Sequence, residues 1–309
     1  MADFLTFLNI YSAINRAVKQ LKGSQEDLVK EMANMAYFEL LDSETLYPFF
    51  WLQDFDDSLY ALAPSTISGI TQADPAVITT SAAHGLTAGD LVSIYNITGM
   101  TELNNRTYKV NTAPTTTTLT LIDLDGSDAI DSSAYTAYSS DGDVVHRGLT
   151  LATSGKDVER VLSCAFHDYT DNLIEITPTE LEETTKWWNE NTSRPQRYLH
   201  RKTYTLSDGT ETNQLLWFPG SDAAYDFRYW LEKRVAPLVN DTDVPQLPPR
   251  FHYGIIAGAV SRLIEMNVQV ENAVIWPGIY RAHIEGLRKF NRKFYQDNDV
   301  AFRKKPFML

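Results

Sequence analysis

The residues with which this chain could do chemistry are few: one cysteine, six histidines and some short carboxylate clusters. Metal binding by His84, His146, His167, His200, His252 and His283 would need ligands gathered by the fold. No two of them stand four residues apart on an expected helix, and no cysteine flanks any of them. His167-Asp168 is a possible acid–base pair, whereas Glu180, Glu182 and Glu183 open an expected helix, whose dipole accounts for them. Asp123-Leu124-Asp125-Gly126 starts like a calcium loop, but its closing position holds Ala134 where a bidentate glutamate is needed. The phosphate-binding Gly-x-x-x-x-Gly-Lys loop, His-Glu-x-x-His, Gly-x-Ser-x-Gly and Cys-x-x-Cys do not occur in the sequence. These residues therefore point away from an enzyme, with no catalytic residue, cofactor or metal expected.

Composition narrows the partners. With 43% hydrophobic and 22% charged residues the 309-residue chain reads as an ordinary globular protein. Its formal charge of -13 argues against gripping nucleic acid over the whole surface, since phosphate affinity comes from Lys and Arg. Acidity serves solubility, and it also suits a lumen past which double-stranded DNA slides without sequence specificity. Cys164, inside Val161-Leu162-Ser163-Cys164-Ala165-Phe166, reads as a small buried hydrophobe and fits assembly in a reducing cytoplasm. Met1-Ala2-Asp3-Phe4 has neither a positive stretch nor a cleavage site, and no run of about 18 apolar residues exists, so the expectation is neither secretion nor membrane insertion.

The elements that would position these groups follow from periodicity. Phe4, Phe7, Leu8, Tyr11, Ile14, Val18 and Leu21 recur at three- and four-residue steps, which predicts an amphipathic helix ended by Gly23. Ser24 and Asp27 cap a second helix with Leu28, Met32, Met35 and Ala36 on its buried stripe, so the pair forms a helical hairpin. Pro48 then breaks the helix and the flanking aromatics pack beneath it. From residue 66 the texture turns to Thr, Ser, Gly and Asp, with β-prone runs at 76–80, 90–97, 107–111 and 117–122 punctuated by Gly85, Gly89-Asp90, Gly99, Asn104-Asn105 and Asp125-Gly126. Residues 127–142 read as a loose stretch. Strands are expected at 158–168, 173–176, 197–206 and 214–218, a returning hairpin strand at 224–235, and a helix from Pro178 to about Asn191 after a capping Thr177. Two final helices, 250–270 and 277–296, follow a Pro-rich crossing, and Gly254 and Gly258 offer the first of them a smooth face.

The end of the chain reverses the overall sign. Arg281, Arg288, Lys289, Arg292, Lys293, Arg303, Lys304 and Lys305 face only Glu285, Asp297 and Asp299. The run reads either as a solvated helix face with a frayed end or as an arm that docks on an acidic partner, with Phe302, Pro306, Phe307, Met308 and Leu309 as apolar anchors around Arg303, Lys304 and Lys305.

Two stretches resemble known families. His84-Gly85-Leu86-Thr87-Ala88-Gly89-Asp90-Leu91-Val92-Ser93-Ile94, followed by Thr98-Gly99-Met100-Thr101-Glu102-Leu103-Asn104-Asn105-Arg106-Thr107-Tyr108-Lys109-Val110, resembles a small β-barrel module that recurs in phage virion proteins and is named after the first catalytic-cysteine half-domain of ubiquitin-activating enzymes. The likeness covers about 66–147. It implies structural jobs only: turns at Gly85, Gly89, Asp90 and Gly99, core filling by Leu103 and Tyr108, and no ubiquitin chemistry, since the module has no cysteine. The remainder, with Leu215-Leu216-Trp217-Phe218-Pro219-Gly220-Ser221-Asp222-Ala223-Ala224-Tyr225 and Asp241-Thr242-Asp243-Val244-Pro245-Gln246-Leu247-Pro248-Pro249-Arg250-Phe251-His252, resembles the head-to-tail adaptors of tailed bacteriophages. That resemblance implies an α+β protein with a helical body and a small sheet or hairpin at 1–65 and 148–309, and the barrel inserted at 66–147. It also implies a ring, dodecameric in the family, that joins portal to tail or nozzle proteins in the virion and lines the DNA channel. Tail fibres or spikes are possible neighbours of the insert. A tail tube or tail terminator, or a receptor-binding module using Tyr95, Tyr135 and Tyr138 of the insert, is the competing reading.

Overall fold

A computed structural model describes the chain except residues 1–4, 19–25, 45–47, 125, 127, 152–157, 169–170, 185–191, 205–210 and 298–309, and gives the backbone alone at 114, 182–184 and 297. Its helices are α1 (Phe7–Ala17), α2 (Glu26–Asp42), α3 (Pro178–Thr184), α4 (His252–Glu265) and α5 (Trp276–Asp297). Its strands are β1 (Gln53–Ala61), β2 (Ser65–Ile70), β3 (Val77–Thr80), β4 (Asp90–Tyr95), β5 (Arg106–Thr115), β6 (Thr118–Asp123), β7 (Asp143–Thr150), β8 (Val158–Phe166), β9 (Asn172–Glu175), β10 (Arg197–Tyr204), β11 (Glu211–Phe218) and β12 (Tyr225–Lys233). The fold is α+β. Two compact units result, one from residues 1–53 and 235–309 and one from 54–234. A division at 65/66 and 147/148, drawn from the sequence, cuts the chain elsewhere.

In the helical unit, α1 is capped by the Thr6 hydroxyl, which accepts from the Asn9 amide, and buries Phe7, Ile10, Tyr11 and Ile14. The helix stops at Ala17, short of the expected Gly23, because β-branched Val18 turns extended and bridges Val270. Leu8, assigned to the buried face, is 44% exposed. The core stripe of α2 is Val29, Met32, Ala33, Ala36, Tyr37 and Leu40, which moves Met35 out to 41% exposure; the expected cap Ser24 lies outside the described residues. Buried residues of α1, α2, α4 and α5 form one cluster with Phe49, Leu52, Leu238 and Leu247. Behind Pro48 the aromatics pack as expected: Phe50 stacks on Phe294 at 3.9 Å and Phe49 on Trp51 at 4.6 Å.

The Pro-rich crossing is strapped across the first two helices by hydrogen bonds. Asn34 donates to the Leu238 carbonyl and accepts from its amide, Gln246 donates its amide to the Tyr37 hydroxyl, and Phe7 donates to the Asp243 carbonyl. Helix α4 packs its glycine face against both α2 and α5. A Cβ on Gly258 would stand 2.8 Å from that of Ala36 and 2.6 Å from the Tyr280 ring, and one on Gly254 would meet Leu40 and His283. These pairings run α4 antiparallel to both neighbours, so α2 and α5 point the same way. Gly258→Val is expected to cost about 3 kcal/mol through overpacking at this crossing, read as a lower urea midpoint with early loss of amide protection in α2 and α4.

In the β unit, β7-β2-β3-β6-β5-β4 hydrogen-bond in that order and β4 returns to β7, closing a six-stranded barrel. Ile78, Val92, Ile94, Met100, Leu103 and Tyr108 are among the side chains that fill it. Beyond the barrel, β7 also pairs with β11, and the order continues β11-β10-β9-β8-β12-β1. A second cluster, centred on Trp217, Phe227, Tyr229 and Cys164, packs these strands. The alternation predicted for β12 holds, with Phe227, Tyr229 and Leu231 buried and Asp226, Arg228 and Trp230 turned out. Its partner differs, however: β12 pairs with β8, and β11 forms its hairpin with β10. Thr177 and Glu180 cap α3 reciprocally, the Glu180 carboxylate accepting from the Thr177 amide and the Thr177 hydroxyl from the Glu180 amide. The expected end of that helix near Asn191 lies outside the described residues.

Candidate functional site

The residues singled out in the barrel all take structural positions. Gly85, Gly89 and Gly99 have φ of +66°, +94° and +98°. Gly99 is the most constrained, because a Cβ there would lie 2.2 Å from the Ala137 carbonyl oxygen. Asp90 closes its turn by accepting from the amide and hydroxyl of Thr87, while burial raises its carboxyl above the usual range. Leu103 and Tyr108 are buried in the barrel core, and the Tyr108 hydroxyl donates to the Leu103 carbonyl.

The titratable groups are held in ways that serve packing. His146 is fully buried; Nδ1 accepts from the Leu62 amide at 3.1 Å, Nε2–H donates to the Gly148 carbonyl at 2.9 Å, and the ring stands edge-on to Trp217. With both nitrogens engaged the imidazole is neutral, and desolvation pulls its pKa down to about 4. Asp90 is 4.0 Å from Nε2, whose proton is already committed to Gly148. His84 accepts from the Leu86 amide, beside an open depression of about 400 Å³ walled by Ala83, Gly85, Thr115 and Thr116. His200 and His252 accept from the backbone amides of Val161 and Leu5, and burial lowers both. His283 is half-buried among the helices and also lowered by desolvation, while His167 is exposed beside Asp168. The Cys164 thiol is pushed up to about 12 by burial. Among the described residues no three of His, Cys, Asp and Glu gather as metal ligands, and no described helix is long and apolar enough to cross a membrane.

Charge, by contrast, is sorted onto faces of the helical unit. Helix α5 turns Leu287, Asn291 and the half-buried Phe290 and Phe294 inward and exposes Arg281, Arg288, Lys289, Arg292 and Lys293, with Glu285 among them. Arg292 pairs with Glu44 and Arg288 donates to the Ser43 carbonyl. Helix α2 exposes Asp27, Glu31, Glu39 and Asp42 opposite its core stripe, with Glu39 paired to Arg262. Sequence reading found the first face and missed the second, although the acidic residues recur at steps of four, eight and three. The proposed docking residues Phe302, Arg303, Lys304, Lys305, Pro306, Phe307, Met308 and Leu309 lie outside the described residues.

A closed barrel of six strands with glycine turns can be compared with known modules. Residues 73–146 match the ubiquitin-activating enzyme E1 FCCH domain. The match is to a part of the chain, beginning after β2 and ending inside β7, so the FCCH-like barrel is completed by a strand before it and by the remainder of a strand shared with the second strand group. No curated protein matches the chain.

The aromatics that would have given the FCCH-like barrel a binding face are not free for it. Tyr95 is buried, its hydroxyl taking a hydrogen bond from Arg147. Tyr135 and Tyr138 pack against the barrel core, and the Tyr138 hydroxyl bonds the Ile67 and Asp141 carbonyls. The receptor-binding alternative needed these three exposed, whereas Tyr95 is buried against Arg147 on the face of β4 opposite Val92 and Ile94, and Tyr135 and Tyr138 are half-buried where the 128–142 stretch packs with Ile130 on the barrel.

Proposed function

We propose that this chain is a head-to-tail adaptor of a tailed bacteriophage, a non-enzymatic virion protein that forms a ring between portal and tail around a DNA channel. The observation that supports the reading is the union of helices from the two ends of the chain in one hydrophobic cluster, while the strands between them belong to a second unit. Such a body suits work done by binding alone. The FCCH-like barrel, whose likeness is to a module seen in virion proteins, adds support of the weaker, analogical kind.

Strand addition between subunits, which a tail tube would use, is disfavoured by β1. It ends the strand order and carries Asp54, Asp56 and Asp57, charges that block pairing with another edge. The receptor-binding reading is weakened by the burial of Tyr95 and by the packing of the half-buried Tyr135 and Tyr138 on the barrel core.

Electron microscopy of the purified chain, alone and with portal particles, tests the proposal. Rings, free or seated on portals, are expected, with twelve copies if the family pattern holds; particles that never form a ring in either setting would overturn it. Deleting 303–309 should leave the monomer's circular dichroism unchanged and abolish portal attachment. Wild-type attachment by that variant would refute the arm.

A further inference from the structure

We infer that neighbouring copies of this chain meet through opposite charges, the exposed face of α5 on one copy docking against the exposed face of α2 on the next. The inference rests on the ring reading and names its contact.

Three observations carry it. First, the glycine face of α4 receives both α2 and α5: Ala36, Gly258 and Tyr280 meet at one level, and Leu40, Gly254 and His283 at the next. Helices α2 and α5 therefore run parallel on that face, and each keeps an exposed face of its own. Contact between the α5 face of one copy and the α2 face of the next is heterologous: each copy offers one patch to the neighbour on one side and a different patch to the neighbour on the other, the arrangement that makes a ring when the rotation between copies closes.

Second, the two patches have opposite signs. In a chain of net charge -13, the α5 face presents Arg281, Lys289 and Lys293 without an ion-pair partner among the described residues, flanked by the engaged Arg288 and Arg292. The α2 face presents Asp27, Glu31 and Asp42, likewise without an ion-pair partner among the described residues, flanked by Glu39. Like-charged faces would repel two copies in either isologous pairing, α5 on α5 or α2 on α2. Only the head-to-tail pairing is attractive, so the charges select the ring-forming contact over a closed dimer.

Third, the α2 face has an apolar centre. Met35 is exposed in the middle of the acidic residues, a flexible, polarisable side chain suited to packing on the methylene stems of Lys and Arg. That arrangement, an apolar contact ringed by charge pairs, is the usual anatomy of a specific interface.

The test is a charge swap followed by sedimentation velocity and native mass spectrometry at low salt. One variant carries Arg281→Glu, Lys289→Glu and Lys293→Glu; the other carries Asp27→Lys, Glu31→Lys and Asp42→Lys. Every substituted side chain is exposed, so each variant should keep the wild-type circular dichroism. Each alone should raise the concentration needed for assembly by roughly tenfold or more, and an equimolar mixture should restore assembly, because each then offers the other its missing sign on both sides. Rescue by mixing identifies the faces, since a misfolded variant cannot be rescued. Wild-type protein that assembles while both variants assemble equally well overturns the pairing and leaves the ring reading standing, as does failure of folded variants to complement. Wild-type protein that stays monomeric at every concentration, with and without portal, overturns both.

Discussion

Gly148→Ala should be among the most damaging single-methyl additions in this protein, with a loss of roughly 3–5 kcal/mol concentrated in the β unit. Gly148 sits in β7 opposite Leu216 of β11. A Cβ there would lie 2.1 Å from the Leu215 carbonyl oxygen and 3.0 Å from the Leu216 Cα, both backbone atoms that no rotamer change can remove. Relief requires β11 to step away from β7, which breaks the ladder joining the barrel to the remaining strands. The same backbone stretch is a hydrogen-bond hub: the His146 carbonyl accepts from the Trp217 indole and the Ser221 hydroxyl, and the Gly148 carbonyl accepts from His146. Gly69→Ala in β2 is the control, since nothing lies within 4 Å of a Cβ at that position. Hydrogen exchange monitored by mass spectrometry should show protection lost across β7, β10 and β11 in the first variant and retained in the second. Equal protection in both would mean that β11 accommodates the methyl without losing its register.

The strand that makes this position so sensitive is, like β1, one that sequence reading did not find. Residues of β7 are buried on both faces, from Val144 through Arg147, because one face fills the barrel while the other meets the second strand group. Period-two alternation, the signature of a half-buried strand, is therefore absent. A cut between Arg147 and Gly148 falls inside β7, so removal of 66–147 would take most of a strand that β11 also needs. Strand β1 escaped for another reason: Gln53-Asp54-Phe55-Asp56-Asp57-Ser58 is poor in β-formers and its charges suit an edge. Where one face was buried and the other wet, the pattern was plain, as in β12, α1 and α5. The cap at Thr177-Pro178-Thr179-Glu180 was equally plain, because both partners of the capping box lie within four residues. The α5 charge was visible in composition. Its counterpart on α2 was not sought, since the register of that helix is set by tertiary packing on Gly254 and Gly258, which rotates Met35 outward and the acids with it.

Acid should destabilise the β unit well above the pH at which its carboxylates titrate, and His146 should be the largest single cause. In the folded chain its imidazole is sealed from water and its pKa is lowered to about 4; in the unfolded chain it titrates near the ordinary value of about 6.5. The folded state thus binds fewer protons between these limits, so the stabilisation is complete above about pH 6.5 and is lost as pH falls toward 4. Integrated over that window the loss is about 3 kcal/mol for this residue. His200 works in the same direction within the unit, lowered by burial as well. Asp90, the carboxylate nearest His146, opposes it: burial raises its folded pKa, so protonation there recovers part of the loss at the acid end of the window. Tyr60, on β1 beside His146, stays neutral throughout, its hydroxyl being shifted further up. Urea midpoints measured at pH 7.5, 6, 5 and 4.5 should fall steadily below pH 6.5. His146→Gln should begin less stable at pH 7.5, since an amide cannot reproduce both hydrogen bonds to Leu62 and Gly148, and should show a markedly shallower slope. A variant whose midpoint declines as steeply as the wild type would assign the acid sensitivity to other groups and require His146 to be solvated in the folded protein.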